Sequence, residues 1–163
     1  VAIADARESA RVDKRLQGAR AELAAHPGMQ LVVEPSSIGP RSAELPSITE
    51  RLVATDADAI LALDRGATEA ALRVLRRQDG WNPRLVGFSP TGDLRRAVVD
   101  REMDALVRDY PYLTGERAVR LLADHLVGRD VPGQVDTGVH LTTQGDEDMV
   151  AVPPTEMPAF KGE

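Results

Sequence analysis

Residues 57–63 (ADAILAL) form a near-continuous apolar run that halts at Asp64-Arg65-Gly66, and a helical period starts directly beyond it. An apolar run without regular polar alternation is the form of a strand covered on both faces, which is characteristic of parallel sheets flanked by helices. The rest of the chain repeats the pairing. Residues 1–4 read as a short apolar strand, followed by Val12, Leu16, Ala19 and Leu23 on one face of a helix that ends at His26-Pro27-Gly28. Residues 30–34 form the next predicted strand, then comes a polar loop, then a helix over about 45–55 with Pro46 in its first turn. Ala67, Ala71, Val74 and Leu75 line one side of a helix over 67–78. Residues 84–88, 105–108 and 135–141 read as strands, and 93–101 and 114–127 as helices.

Strands alternating with helices at this spacing predict an α/β fold with a doubly wound parallel sheet. In such sheets ligands collect beyond the carboxyl ends of the strands. Asp64, Ser89 and Asp109 all fall at predicted strand ends, so the pattern points at a cleft.

Composition narrows the chemistry. Hydrophobic residues are 42% and charged residues 28%, which suits a globular domain, while aromatics are only 3% and leave the core to Ala, Val, Leu and Ile. The net charge is -6 with no basic block, which argues against nucleic acid as a direct partner of this segment. There is no cysteine, so disulfides, thiolate metal sites and a cysteine nucleophile are excluded, and the redox compartment stays open. No run approaches the roughly 18 apolar residues of a membrane span. The chain starts at VAIA, already inside a strand-like run and without an initiator Met, and so reads as a mature or excised piece with its upstream part missing.

Local motifs give few grounds for catalysis. Ser89, in Gly87-Phe88-Ser89-Pro90-Thr91, lacks the glycine two residues on that a nucleophile elbow needs, and no histidine has an obvious route to it. Asp64 as a phosphoacceptor would need a lysine at a later strand end, and neither Lys14 nor Lys161 is in such a place. His26, His125 and His140 lack ligand-like spacing, no glycine-rich phosphate or dinucleotide loop exists, and Asp146-Glu147-Asp148 lacks calcium-loop spacing. No catalytic residue, metal site or cofactor is expected. Spacing alone favours Asp64 as the cap of the following helix. Arg15 divides evenly between an exposed arginine and a guanidinium fork offered to hydroxyls or carboxylates.

The ordered segments carry a resemblance. They run from VAIAD, Arg15-x-x-Gly18 and HPGMQLVVE, through DADAILA, EAALRVLR and LVGF, to MDALV and Tyr110-Pro111. They continue through Gly115-x-x-Ala118-Val119-x-Leu121-Leu122 and GRDVP to DTGVHLTT. Over about 140 residues this order resembles the distal half of the periplasmic sugar-binding protein family, the ribose-binding-like group, whose fold is shared by lactose-repressor-type effector domains. The resemblance implies a periplasmic-binding-protein-like type I fold, hinged and two-lobed in the whole protein, of which this chain supplies about one lobe and a returning segment. Residues 1–109 would form the ligand-binding lobe, 110–144 the hinge with a returning helix and strand, and 145–163 an extended or disordered tail.

It also implies the site. Arg15 matches the family's arginine. Asp64 stands where the family has asparagine, Arg65 where the next aspartate falls, Ser89 where Gly-Phe-Asp has its aspartate, and Asp109 at the polar position before the hinge. Asparagine donates and accepts whereas an ionised aspartate only accepts, so two acids in the cleft suit a polyol, a sugar or an amine-bearing ligand. A site that no longer binds sugar is the rival expectation. The implied role is the non-catalytic substrate-binding component of an ABC-type sugar importer, extracytoplasmic and partnered by a membrane permease or sensor. The alternative is the cytoplasmic effector domain of a lactose-repressor-type regulator. The helix over 114–127 would pack on the other lobe, so its Ala118, Leu121, Leu122 and Leu126 face lacks cover here. The expected outcomes are a homodimer, a helix folded back on its own sheet, or a lost partner segment.

Overall fold

The computed structural model describes residues 1–4, 10–32 and 53–146. Along these the order is β1 (Ala2–Ala4), α1 (Ala10–Ala25), β2 (Ala59–Ala62), α2 (Arg65–Leu75), β3 (Arg84–Phe88), α3 (Gly92–Val99), β4 (Ala105–Asp109), α4 (Pro111–Leu126) and β5 (Val139–Thr143). The five strands lie side by side in the order β1-β2-β3-β4-β5. The first four are parallel, and β5 closes the edge antiparallel to β4 with Arg108 opposite His140 and Asp109 opposite Val139. The doubly wound parallel sheet expected from the sequence is present, with β5 as its one antiparallel strand among the described residues. The sheet is therefore mixed and mostly parallel.

Beyond β1 the chain runs along the free edge of the sheet. The Val32 N–H donates to the Val1 carbonyl at 3.0 Å, and the Val1 nitrogen donates to the Gln30 carbonyl at 2.7 Å. Of the strand expected over 30–34, residues 30–32 make this pairing without forming a strand; 33–34, most of the helix expected over 45–55, and the tail from 147 lie outside the described residues. Residues 30–32 thus lie on one side of β1 and β2 on the other. This reversal makes the β1–β2 junction the topological switch point, where doubly wound sheets open a crevice.

Alternation along the strands sorts the core onto two faces. Ala2, Ala4, Ile60, Ala62, Leu85 and Leu106 face α2 and α3, where Ala67, Ala71, Leu72, Leu94, Ala97 and Val98 complete one buried cluster. Ile3 and Leu63 face the other way, against Val12 of α1, with Leu16, Ala19, Leu23, Leu61 and Phe88 packed around them. The four apolar positions expected on one face of α1 therefore do share that cluster.

One contact sets how closely α2 approaches β3. Thr68, fully buried, donates from Oγ1 to the Asp64 carbonyl at 2.7 Å and accepts from the Phe88 N–H at 3.1 Å. A Cβ on Gly87 would fall 2.2 Å from Thr68 Cγ2 and 2.6 Å from its Oγ1. Only glycine lets the helix sit this near the strand.

α4 is different in kind. None of its residues is buried, and Val119, Leu122 and Leu126 are 68%, 57% and 75% exposed. Of the three outcomes expected for its apolar face, folding back on its own sheet does not occur.

Candidate functional site

Because β1 to β4 are parallel and in close register, their carboxyl ends share one edge of the sheet. Leu63 and Asp64 end the β2 segment, Phe88 and Ser89 end β3, and Asp109 ends β4. α1 brings Arg15 to the same edge.

Arg15 reaches out of α1 across the switch point. Its Nη1 donates to the Leu63 carbonyl at 2.7 Å, and its guanidinium carbon lies 4.0 Å from the centroid of the Phe88 ring. Its pKa is lowered by burial first and then by Arg11, while the carboxylates of Asp109 and Asp64 push it back upward. The latter two influences place both acids within the field of the guanidinium. Arg15 is thus half-buried against a backbone carbonyl and a ring, and is not an arginine exposed on a polar face.

Asp64 is buried and caps α2. Its backbone is extended, with φ -147° and ψ 174°, and its Oδ1 accepts from the Ala67 N–H at 3.0 Å. The cap reading is therefore right as chemistry, and Asp64 sits beside Arg15 as well. Asp64→Ala is expected to destabilise the domain by about 1 kcal/mol, whereas Asp64→Asn, an equally good cap, changes stability by only a few tenths. Urea unfolding followed by Trp81 fluorescence measures both. That single tryptophan packs on the core with its Nε1 donating to the Ala57 carbonyl at 3.3 Å.

Ser89 adopts φ +66°, a left-handed conformation uncommon outside glycine, and its N–H donates to the Val107 carbonyl at 3.2 Å. The next helix is capped two residues later by Thr91, whose Oγ1 accepts from the Leu94 N–H. A left-handed serine between strand and helix is the one elbow-like feature here. The described histidines that have polar partners find them elsewhere: His26 pairs with Glu22, and His140 with Asp146 at 2.7 Å and Tyr110 at 3.4 Å. Asp109 is exposed at the end of β4.

The four residues singled out from sequence thus reach one edge, with Arg15, Asp64 and Asp109 electrostatically joined. The residue passed over was Phe88. It lies one position before Ser89 and alternates with Val86 toward α1, a parity signal that was available. Among the described residues no group of three or more metal-ligating side chains converges, and no helix is long and apolar enough to cross a membrane.

The family model described as periplasmic binding protein domain matches residues 1–130. Among solved structures, the periplasmic component of an ABC-type sugar transport system from Hahella chejuensis is 28% identical with a TM-score of 0.72; the match covers 88% of this chain and 54% of that one. GanP, a glucose–galactose binding protein from Geobacillus stearothermophilus, is 20% identical with a TM-score of 0.76, over 90% of this chain and 53% of that one. An ABC transporter solute-binding protein from Burkholderia graminis, in complex with D-arabinose, is 21% identical with a TM-score of 0.75, over 93% and 54%. The chain spans about half the length of these structures. No curated protein matches it in sequence.

Proposed function

The chain belongs to the periplasmic binding protein domain family, and from that premise we propose that it is a non-catalytic lobe that binds a sugar, polyol or amine-bearing small molecule at the carboxyl edge of its sheet. The observation that carries this reading is Arg15, anchored on the Leu63 carbonyl at the topological switch point, with Asp64 beside it and Asp109 on the same carboxyl edge both raising its pKa. A guanidinium donates a planar fork of N–H groups, and carboxylates accept from hydroxyls or ammonium groups. One cation against two acids disfavours an anionic ligand, so a neutral or cationic one fits. The sugar-binding descriptions of the similar structures support the same class.

In the whole protein the role is the solute-binding component of an ABC-type importer, working outside the cytoplasm with a membrane permease as partner. Closure around the ligand would shift an open–closed equilibrium by differential affinity for the two states. On this reading residues 1–109 form the lobe, and 110–144 leave it at Tyr110-Pro111 and return through β5. The β4–β5 pairing supports a return to the same sheet.

The test is a titration of this chain with D-arabinose, D-galactose and D-glucosamine, read by backbone amide shifts. Saturable shifts at Arg15, Asp64, Ser89 and Asp109 are expected. Asp64→Asn should weaken D-glucosamine more than the neutral sugars, because it removes a charge while keeping the cap. Undiminished D-glucosamine affinity in that variant would remove the amine-bearing ligand from the proposal.

A further inference from the structure

We infer that Phe88 is a positioning residue of the ligand site, holding the Arg15 guanidinium in the plane from which it meets a ligand. The inference rests on the reading of Arg15 as a ligand contact and names the residue that prepares it.

Two constraints act on Arg15 from different directions. The Leu63 carbonyl takes one N–H at 2.7 Å and fixes an edge of the guanidinium. The Phe88 ring, 4.0 Å from the guanidinium carbon, fixes a face, well inside the distance at which an aromatic quadrupole attracts a cation. An edge and a face together define a plane, where either alone would leave the group free to swing. An arginine side chain otherwise carries much rotamer freedom, which a ligand would have to freeze on binding. Held in advance, the fork loses less on meeting hydroxyl oxygens.

The ring is itself held for this task. Phe88 is the last residue of β3 and packs with the α1-side cluster of Ile3, Val12 and Leu63. Its N–H is tied to buried Thr68 at 3.1 Å. The backbone turns left-handed at the very next residue, Ser89, so Phe88 stands where the strand ends and the cleft edge begins. Simple core packing explains an apolar residue here; it does not call for a ring lying against a guanidinium already bound to a carbonyl.

The test separates ring from bulk. Phe88→Leu keeps an apolar side chain and removes the ring; Phe88→Tyr keeps the ring; Phe88→Met is a second ringless variant should Phe88→Leu fail to fold. The first readout needs no ligand: the Arg15 Nε–H resonance, assigned by its loss in Arg15→Lys. It should carry a ring-current shift in the parent and in Phe88→Tyr, and lose it in the ringless variants. A resonance indifferent to removal of the ring overturns the inference. The second readout is affinity for whichever of D-arabinose, D-galactose and D-glucosamine the parent binds. Ringless variants should bind about tenfold more weakly and Phe88→Tyr within about twofold of the parent. Removing the ring in an Arg15→Ala background should cost nothing further, since Phe88 acts through Arg15. An equal loss in both backgrounds makes Phe88 a structural or direct contact and overturns the inference. If the parent binds none of the three sugars, the ligand-binding reading fails while the resonance still decides whether the ring holds Arg15.

Discussion

Gly87→Ala should destabilise the domain by about 3 kcal/mol, a large share of the stability of a chain this size. The added Cβ would stand 2.2 Å from Thr68 Cγ2, 2.6 Å from Oγ1 and 3.0 Å from Cβ. Thr68 has no room to withdraw, being fully buried and bonded on one side to the Asp64 carbonyl and on the other to the Phe88 N–H. Relief requires α2 to lift from β3, which opens the core cluster built on Ala67, Ala71 and Leu72, or requires Thr68 to abandon both bonds. The first forfeits packing and the second leaves the part-buried Phe88 N–H without its acceptor. Thr68→Ala alone also costs stability, yet it removes two of the three clashing atoms. The double variant should therefore be less destabilised than the sum of the two single changes, a coupling that urea unfolding of all four proteins measures directly. Strict additivity would mean that Thr68 is not what glycine accommodates.

Arg15→Ala should weaken ligand binding by about 100-fold, the scale of losing charge-assisted hydrogen bonds from a half-buried cation. The reason lies in the balance of charge at the edge. Without the guanidinium, Asp64 and Asp109 lose the cation whose pKa they raise, and the proposed site loses its donor fork and keeps two carboxylate acceptors. Neutral sugars should suffer more than D-glucosamine, whose ammonium group can stand in for part of the missing charge. Arg15→Lys keeps the charge but cannot both bond the Leu63 carbonyl and present a planar fork, so it should recover only part of the loss. Amide-shift titrations on the three proteins read the order parent, lysine variant, alanine variant.

The parts of the fold that follow from periodicity were legible in the sequence. The apolar run at 57–63 does yield a strand, but only over Ala59–Ala62, with Ile60 and Ala62 buried and Ala59 and Leu61 partly exposed, and the β3 range Arg84–Phe88 matches its expectation residue for residue. Boundaries moved where side chains bond to backbone or backbone dihedrals are unusual, because hydrophobic pattern carries neither signal. β5 was expected from residue 135 on the alternation of Val135, Val139 and Leu141, but it begins at Val139. Asp136 Oδ1 accepts from the Gly138 N–H at 2.7 Å and Gly138 takes φ +73°, so Asp136-Thr137-Gly138 is turn chemistry interrupting the alternation. α4 was expected from Thr114 and starts at Pro111, since proline at the first helical position sacrifices no hydrogen bond.

The site was legible as positions and not as contacts. Strand ends could be counted, so Asp64, Ser89 and Asp109 could be set on one edge of the sheet. Asp64 was rightly weighed as a cap because the residues around it are local in sequence. Arg15 could not be resolved from spacing, since its partners Leu63 and Phe88 lie 48 and 73 residues away along the chain. Long-range stacking of this kind leaves no mark in a local period. The left-handed Ser89 was equally invisible, because no glycine or asparagine announces it.

The central claim, that the carboxyl edge of this sheet is a ligand site organised by Arg15, meets its most direct test in the amide-shift titration of the unmodified chain with D-arabinose, D-galactose and D-glucosamine. The account predicts saturable shifts for at least one of the three, concentrated at Arg15, Asp64, Ser89 and Asp109, with Trp81 and its surroundings unmoved. Shifts confined to α4 or to the opposite edge of the sheet, or no saturable shift with any of the three, would contradict it.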